Sequence, residues 1–131
     1  MRIDYLEDVP KFIPLLAREM AEHWRSIIPG ESYGPRYEKL ISHQNRDQLS
    51  LAWVAHENGV PVGTSALRVC DLEGRDDLPP WLAEIFVMPD YTERGIAARL
   101  CEVAERKAWE WEITSLYLHT LDQQGLYRKL E

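Results

Sequence analysis

The stretch that most constrains this chain runs from Leu82 to Leu100 and reads as a strand, a short loop and the start of a helix. Ile85–Val87 is an apolar run of β-forming residues, and Pro89 ends it because proline cannot donate to a strand ladder. From Ile96 onward, apolar residues recur at helical spacing. The sequence therefore predicts a strand–loop–helix unit around which the rest of the chain is arranged.

The junction of this unit, Arg94-Gly95-Ile96-Ala97, has the character of an anion site. A helix N-terminus presents unpaired backbone N–H groups and the positive end of the helix dipole. Gly95 and Ala97 carry little or no side chain, so a phosphate can approach the backbone closely. Taken by itself, a glycine at such a junction is as consistent with plain packing as with phosphate binding.

Composition restricts the class of protein. The 131 residues, 45% of them hydrophobic, suit one soluble domain over residues 1–131 with one core. A net charge of −7 argues against a nucleic-acid binder, whose footprint is normally basic. No apolar run approaches the ~20 residues needed to cross a bilayer, and the first residues lack a signal-peptide layout. We therefore expect a cytoplasmic protein without a membrane partner.

Neither the cysteines nor the histidines show a metal-binding pattern. Cys70 and Cys101 lie far apart without a Cys-x-x-Cys motif, which favours buried reduced thiols over a disulfide. The four histidines are scattered without ligand spacing. The sequence therefore predicts no metal site.

Periodicity and turn signals predict an α/β fold with a mixed sheet and the order β-α-α-β-β-β-α-β-α. Asp8 is expected to cap the first helix and Thr120 the last, and Tyr37, Leu40 and Ile41 are expected to face inward from the second helix. Asn58-Gly59 predicts a hairpin. The predicted elements are strand 1–5, helices 8–24 and 33–45, strands 49–56, 60–70 and 81–88, helix 95–109, strand 113–119 and a last helix from 121.

The segment from Val87 to Leu100 resembles the acetyl-CoA-binding motif of the GNAT superfamily, the general-control-related N-acetyltransferases. That motif reads Arg or Gln, two residues, Gly, one residue, then Gly or Ala. Gly95 and Ala97 match it. Thr92 stands at the Arg/Gln position, and Arg94 inside the loop is expected to supply the missing charge.

The tail from Leu116 to Leu130 is similar to the second signature of the same family, and the predicted element order also follows the family's. Glu131 stands where the family normally has Gly, and the chain stops there. The resemblance implies a GNAT-like acyl-CoA N-acyltransferase fold that lacks its last two strands. A second copy of the chain is then expected to cover the open sheet edge, since unpaired edge strands recruit neighbours.

The resemblance implies acetyl-CoA as cosubstrate and an amine of a small molecule or peptide as acceptor. Pantetheine is expected to bond along Ile85–Val87, where a bulge splays this strand from the next parallel one. The backbone N–H of Phe86 or Val87 would stabilise the tetrahedral oxyanion, a contribution of about 2.7–4 kcal/mol for one donor. The pyrophosphate is expected at the loop and helix start, formed by Thr92, Arg94, Gly95, Ile96, Ala97 and Ala98.

Two side chains are predicted to move protons. Glu84, on the strand where the family often places a base, would take a proton from the acceptor amine, although an ion-paired Glu fits equally well. Tyr127 occupies the family's Tyr position and would protonate the leaving thiolate, while a core aromatic is the alternative. His119 ranks below Glu84 as a base.

Three functions remain open at the level of sequence. The first is an N-acetyltransferase, which Tyr127, Glu84 and the intact Gly95-x-Ala97 pattern favour. The second is a non-catalytic acyl-CoA-binding or assembly module, which Thr92 and the terminal Glu131 favour. The third, an α/β interaction domain without CoA, would require both motifs to be accidental.

Overall fold

The protein folds as a mixed six-stranded sheet with helices on both faces, as a computed structural model shows. The structure describes residues 1–69, 80–113, 115–118 and 126–129, with 117–118 and 126–129 described by their backbone. The elements are β1 Arg2–Tyr5, α1 Ile13–Trp24, α2 Tyr33–Ser42, β2 Leu51–Glu57, β3 Val60–Arg68, β4 Trp81–Val87, α3 Ile96–Glu110, β5 Ser115–Leu118 and β6 Leu126–Lys129.

The strands lie in sequence order across the sheet, β1 to β6. Every neighbouring pair is antiparallel except β4 and β5, which run parallel. Since α3 connects these two strands, the predicted strand–helix–strand crossover is confirmed. The predicted meander of β2, β3 and β4 is confirmed as well, and its first hairpin turns at Asn58 and Gly59, both with positive φ.

The sheet separates two hydrophobic clusters. Helices α1 and α2 cover one face of the sheet. There Leu16, Met20 and Leu40 belong to the same hydrophobic cluster as Val54 and Phe86 of the sheet. Helix α3 covers the other face through a stripe of fully buried residues at helical spacing, Ile96, Leu100, Ala104 and Ala108. The packing of this stripe against the sheet therefore fixes the direction in which α3 leaves the end of β4.

Two local predictions about the first helices are wrong. Asp8 does not cap α1, because two short 3₁₀ turns, Leu6–Asp8 and Pro10–Phe12, precede it and Asp8 instead accepts a bond from Arg46. Ile41 is exposed on α2 rather than inward. The buried stripe of α2 runs through Arg36, Leu40 and His43, an i, i+4, i+7 pattern that hydrophobicity by itself does not reveal.

The predicted last helix is also wrong where the structure describes it. Residues 126–129 form β6, antiparallel to β5, with Tyr127 opposite Tyr117. An open β5 edge offers a row of N–H and C=O groups to a segment that contains a β-forming tyrosine. A short helix has little intrinsic stability, so the segment pairs as a strand instead. The proposed cap Thr120 lies outside the described residues. Since β6 occupies the outer side of β5, the second copy expected at that edge stays a prediction.

No helix among the described residues combines the length and apolar character required to traverse a membrane.

Candidate functional site

The start of α3 forms an open helix N-terminus at the end of β4. Gly95 is its N-cap residue in the left-handed conformation, with φ 75° and ψ 11°. The first helical bond described runs from the Arg99 N–H to the Gly95 carbonyl, at 3.2 Å. The amides of Ile96–Ala98 therefore precede the helical ladder. A Cβ placed at Gly95 would have nothing within 4 Å, so the space beside the Gly95 Cα is open.

The side chains around this N-terminus have partners within the fold. The Thr92 hydroxyl donates to the Pro89 carbonyl at 3.2 Å. The Arg94 guanidinium lies 3.3 Å from the Glu57 carboxylate and 5.2 Å from the centroid of the Tyr91 ring. Thus the cation expected to replace the missing Arg or Gln is present at the loop, where an anion would compete with Glu57 for it.

The described pairing of β4 with β5 covers the start of β4. The parallel ladder joins Trp81 to Tyr117 and Leu82 to Leu118. Farther along, Phe86 and Val87 pair with β3, and no β5 partner for them lies among the described residues. The Met88 N–H donates to the Val62 carbonyl of β3 at 2.8 Å, so by the alternation along a strand the N–H and C=O of Phe86 also face β3 and those of Val87 face the β5 side. That pantetheine binds on this side stays a prediction.

A bulge interrupts β4 just before these residues. Thr64 pairs with Phe86 and Ala66 with Ala83, so Glu84 and Ile85 together oppose a single residue of β3. Glu84 has a φ of 56°, in the left-handed region. The bulge predicted for this strand is thereby confirmed, and Glu84 is its left-handed residue.

The Glu84 carboxylate is buried among basic groups. Its Oε1 lies 3.3 Å from Arg36 Nη1, 3.3 Å from Lys39 Nζ and 3.5 Å from Arg68 Nη1. Burial raises the pKa of Glu84, but the basic groups around it, His43 first and then Arg36, Lys39 and Arg68, lower it by more, so it lies below the ordinary value of 4.5. A carboxylate with this pKa stays ionised and accepts a proton poorly, which favours an ion-pairing role over the predicted general base.

His43 adjoins the same carboxylate in its neutral form. Its Nδ1 lies 2.6 Å from the Lys39 carbonyl, an acceptor, so Nδ1 carries the proton and Nε2 a lone pair. Nε2 is buried 3.9 Å from Glu84 Oε2. Burial lowers the pKa of His43 below 6.5, although the Glu84 charge raises it. His43 is therefore uncharged at neutral pH.

Arg36 connects Glu84 to the loop between α1 and α2. Its Nε donates to Glu31 Oε2 at 2.8 Å, and its guanidinium lies 5.0 Å from the Trp24 ring centroid. The side chain is 3% exposed. Sequence reasoning missed Arg36 and His43, and the signal available was their i, i+7 spacing around the apolar Leu40.

The structure brings together Glu84, Phe86, Val87 and the α3 N-terminus along one strand and its junction. Tyr127 is placed by its backbone on β6, two strands from β4. Its role as an acid stays a prediction. His119 lies outside the described residues.

Comparison with known proteins identifies relatives of this arrangement. The profile of the acetyltransferase (GNAT) family matches residues 17–131. A sequence search of curated proteins found no match. Among solved structures, an aminoglycoside 6′-N-acetyltransferase from Enterococcus faecium is similar with a TM-score of 0.67 and 19% identity, over 90% of this chain and 61% of that one.

Two further structures show the same fold. A GCN5-related N-acetyltransferase from Ralstonia eutropha has a TM-score of 0.63 and 22% identity, over 92% of this chain and 82% of its own. A predicted acetyltransferase with acetyl-CoA, from Clostridium acetobutylicum, has a TM-score of 0.63 and 17% identity, over 91% and 81%. The chain spans 61% of the length of two of the aminoglycoside 6′-N-acetyltransferases it matches.

Proposed function

This chain belongs to the acetyltransferase (GNAT) family, and from that premise we propose that it transfers an acetyl group from acetyl-CoA to a primary amine of a small molecule or peptide. The observation that carries the proposal is the junction of β4 and α3. Backbone groups of Val87, which face away from β3 and have no β5 partner among the described residues, lead to the helix N-terminus at Gly95. An elongated acyl thioester with a pyrophosphate at its far end fits that sequence of donors.

Each part of acetyl-CoA has a proposed partner in this chain. The amides of Ile96–Ala98 hold the pyrophosphate, and Arg94 adds a positive charge when the anion draws it from Glu57. The pantetheine amides bond along β4. The backbone N–H of Val87 stabilises the oxyanion as the amine attacks the thioester carbonyl carbon.

The amine nitrogen first forms the new C–N bond, which gives the tetrahedral oxyanion, and collapse of that intermediate breaks the C–S bond. The CoA thiolate leaves and takes a proton, for which Tyr127 is the proposed donor. The ammonium form of the acceptor loses one proton to solvent before attack, and its nitrogen loses a second one to solvent after the C–N bond forms, from which Tyr127 is reprotonated. The net reaction converts acetyl-CoA and amine into amide and free CoA thiol.

Calorimetric titration of the protein with acetyl-CoA tests the cofactor site. We expect micromolar binding, and we expect Gly95→Glu to abolish it because a carboxylate would occupy the pyrophosphate position. Gly30→Glu is the matched control: Gly30 has φ +78°, Gly95 has φ +75°, and neither would place a Cβ within 4 Å of another group. Both variants incur the same left-handed strain of about 1–2 kcal/mol, so a loss confined to Gly95→Glu locates the site.

Thiol release measured across a panel of primary amines tests the transfer itself. A folded protein that does not bind acetyl-CoA would refute the proposal. Binding without thiol release from any amine would instead support the non-catalytic acyl-CoA-binding module.

A further inference from the structure

The left-handed residue of the β4 bulge is a glutamate, although glycine is the residue that such a position favours. In bulges of this kind the first residue adopts the left-handed conformation, and glycine does so without steric cost. Glu84 adopts it with a φ of 56° and sends its carboxylate into the interior, where the side chain is 8% exposed. The strain of this conformation persists only if surrounding contacts hold it.

Those contacts come mostly from α2. Arg36, Lys39 and His43 approach the Glu84 carboxylate from one helix, and Arg68 approaches it from β3. Lys39 is 36% exposed, so solvent screens its charge, whereas Arg36 is 3% exposed. Arg36 is therefore the cation whose position the fold controls most closely.

Arg36 is itself held in place on two sides. Glu31 accepts the hydrogen bond of its Nε at 2.8 Å, and both side chains are at most 5% exposed. Trp24, at the end of α1, packs against the guanidinium plane. A continuous set of buried contacts thus runs from Glu31 through Arg36 to Glu84, and it joins the α1–α2 loop to the bulge.

We propose that Arg36 is a positioning residue for acetyl transfer, which by holding Glu84 fixes the bulge of β4 and aims the backbone N–H of Val87 at the acetyl group. This inference rests on the proposed function. Its physical basis is that the bulge residues precede Phe86 and Val87 and set the direction in which the Val87 amide points, away from β3. Arg36 does not touch the substrate and acts through Glu84.

Steady-state kinetics of Arg36→Met and Arg36→Lys test the proposal. Since a misplacement of ~1 Å can cost about 10²-fold in rate, we expect Arg36→Met to lower kcat by about that factor with little change in KM for acetyl-CoA. Arg36→Lys keeps the charge but cannot bond Glu31 and Glu84 in the same fork, so its kcat should be intermediate. Arg25→Met removes an exposed arginine paired with Glu22 and should leave kcat unchanged.

Hydrogen exchange of the ligand-free protein gives a readout that does not depend on activity. In Arg36→Met, the amides of residues 84–87 should exchange faster, while those of β2 and the distant half of β3 stay protected. If the wild type transfers no acetyl group, the proposed function fails, and hydrogen exchange still tests whether Arg36 holds the bulge through Glu84. A folded Arg36→Met with wild-type kcat and wild-type exchange at these amides would overturn the inference.

A double variant keeps the test informative if Arg36→Met does not fold. Arg36→Met/Glu84→Gly removes both members of the buried Arg36–Glu84 pair and places glycine at the left-handed position, so we expect it to be more stable than Arg36→Met, which leaves both Glu31 and Glu84 buried without Arg36. Recovery of part of the lost kcat would show that the shape of the bulge is what Arg36 secures. A folded double variant without activity would overturn the inference, because it would assign the chemistry to Glu84 itself.

Discussion

Gly63 on β3 is the position where the structure predicts the effect of a single added methyl group most directly. A Cβ there would lie 2.8 Å from the Phe86 carbonyl oxygen, 3.1 Å from Leu100 Cδ1 and 3.3 Å from Ile96 Cγ2. The two side-chain atoms belong to α3 and can shift slightly. The carbonyl oxygen belongs to the backbone of β4, so relieving that contact requires the strand to move.

The expected cost of Gly63→Ala follows from two opposing terms. Overpacking a core site costs about 1–3 kcal/mol. Replacing glycine restricts the unfolded chain and returns about 0.4–1 kcal/mol. We therefore expect the free energy of unfolding to fall by about 1–2 kcal/mol, and acetyl-CoA binding to weaken, because the displaced carbonyl belongs to the proposed pantetheine strand.

Urea denaturation measures this change, with Gly34→Ala as the matched control. Gly34 lies in α2, and a Cβ there would have nothing within 4 Å. In a helix the same substitution is stabilising by up to about 1 kcal/mol. The two variants should thus shift stability in opposite directions. A Gly63→Ala protein as stable as the wild type would refute the argument that the Phe86 carbonyl cannot yield.

Three other outcomes are expected. The folded-state pKa values of His43 and Glu84 lie below 6.5 and 4.5, so the unfolded chain binds more protons, and the free energy of unfolding falls as pH drops through 6.5 and again through 4.5. Urea unfolding across this pH range measures the two decreases, and His43→Gln should lose the one near pH 6.5. A free energy of unfolding that does not change with pH would contradict this expectation. Glu93→Gly removes a left-handed glutamate with φ 65° and a negative charge near the start of α3. Calorimetry should therefore show that the affinity for CoA rises about two- to fivefold. Equal or weaker binding would count against the pyrophosphate site. Tyr127→Phe should reduce turnover in a thiol-release assay without changing CoA affinity, and unchanged turnover would remove Tyr127 from the mechanism.

The central strand, loop and helix could be read from the sequence because their signals are local. Pro89 has no N–H to donate to a strand ladder and begins a 3₁₀ turn just after β4, and Gly95 suits a left-handed cap without help from distant residues. The stripe from Ile96 to Ala108 repeats at the helical period and needs only an apolar surface to face. These features placed the strand, the loop and the start of the helix, where the cofactor site is proposed, before any contact was known.

The cluster around Glu84 could not be read in the same way. A charged residue such as Arg36 is placed in solvent by any sequence-based rule, since burying an unpaired guanidinium is costly. Its burial becomes acceptable when Glu31 and Glu84 meet it, and Glu84 comes from a strand far along the chain. For the same reason the sequence could not decide whether Glu84 acts as a general base or as an ion-paired carboxylate.

The last element shows a second limit of prediction from sequence. The segment with Tyr127 carries a pattern that suits a helix or a strand, and local propensity does not distinguish them. The open edge of β5 decides the outcome at residues 126–129, because only a strand satisfies its backbone groups there.

The sequence by itself therefore determined the family, the order of most elements and the position of the helix N-terminus, since all three depend on residues that are neighbours in the chain. Tertiary structure decided that β4 bulges at a glutamate, that α2 turns Arg36 and His43 inward, and that the tail near Tyr127 pairs as a strand. In each of these cases the deciding energy is a contact between distant segments: ion pairing for Glu84 and Arg36, burial beside Glu84 as a neutral ring for His43, and backbone hydrogen bonding for the tail.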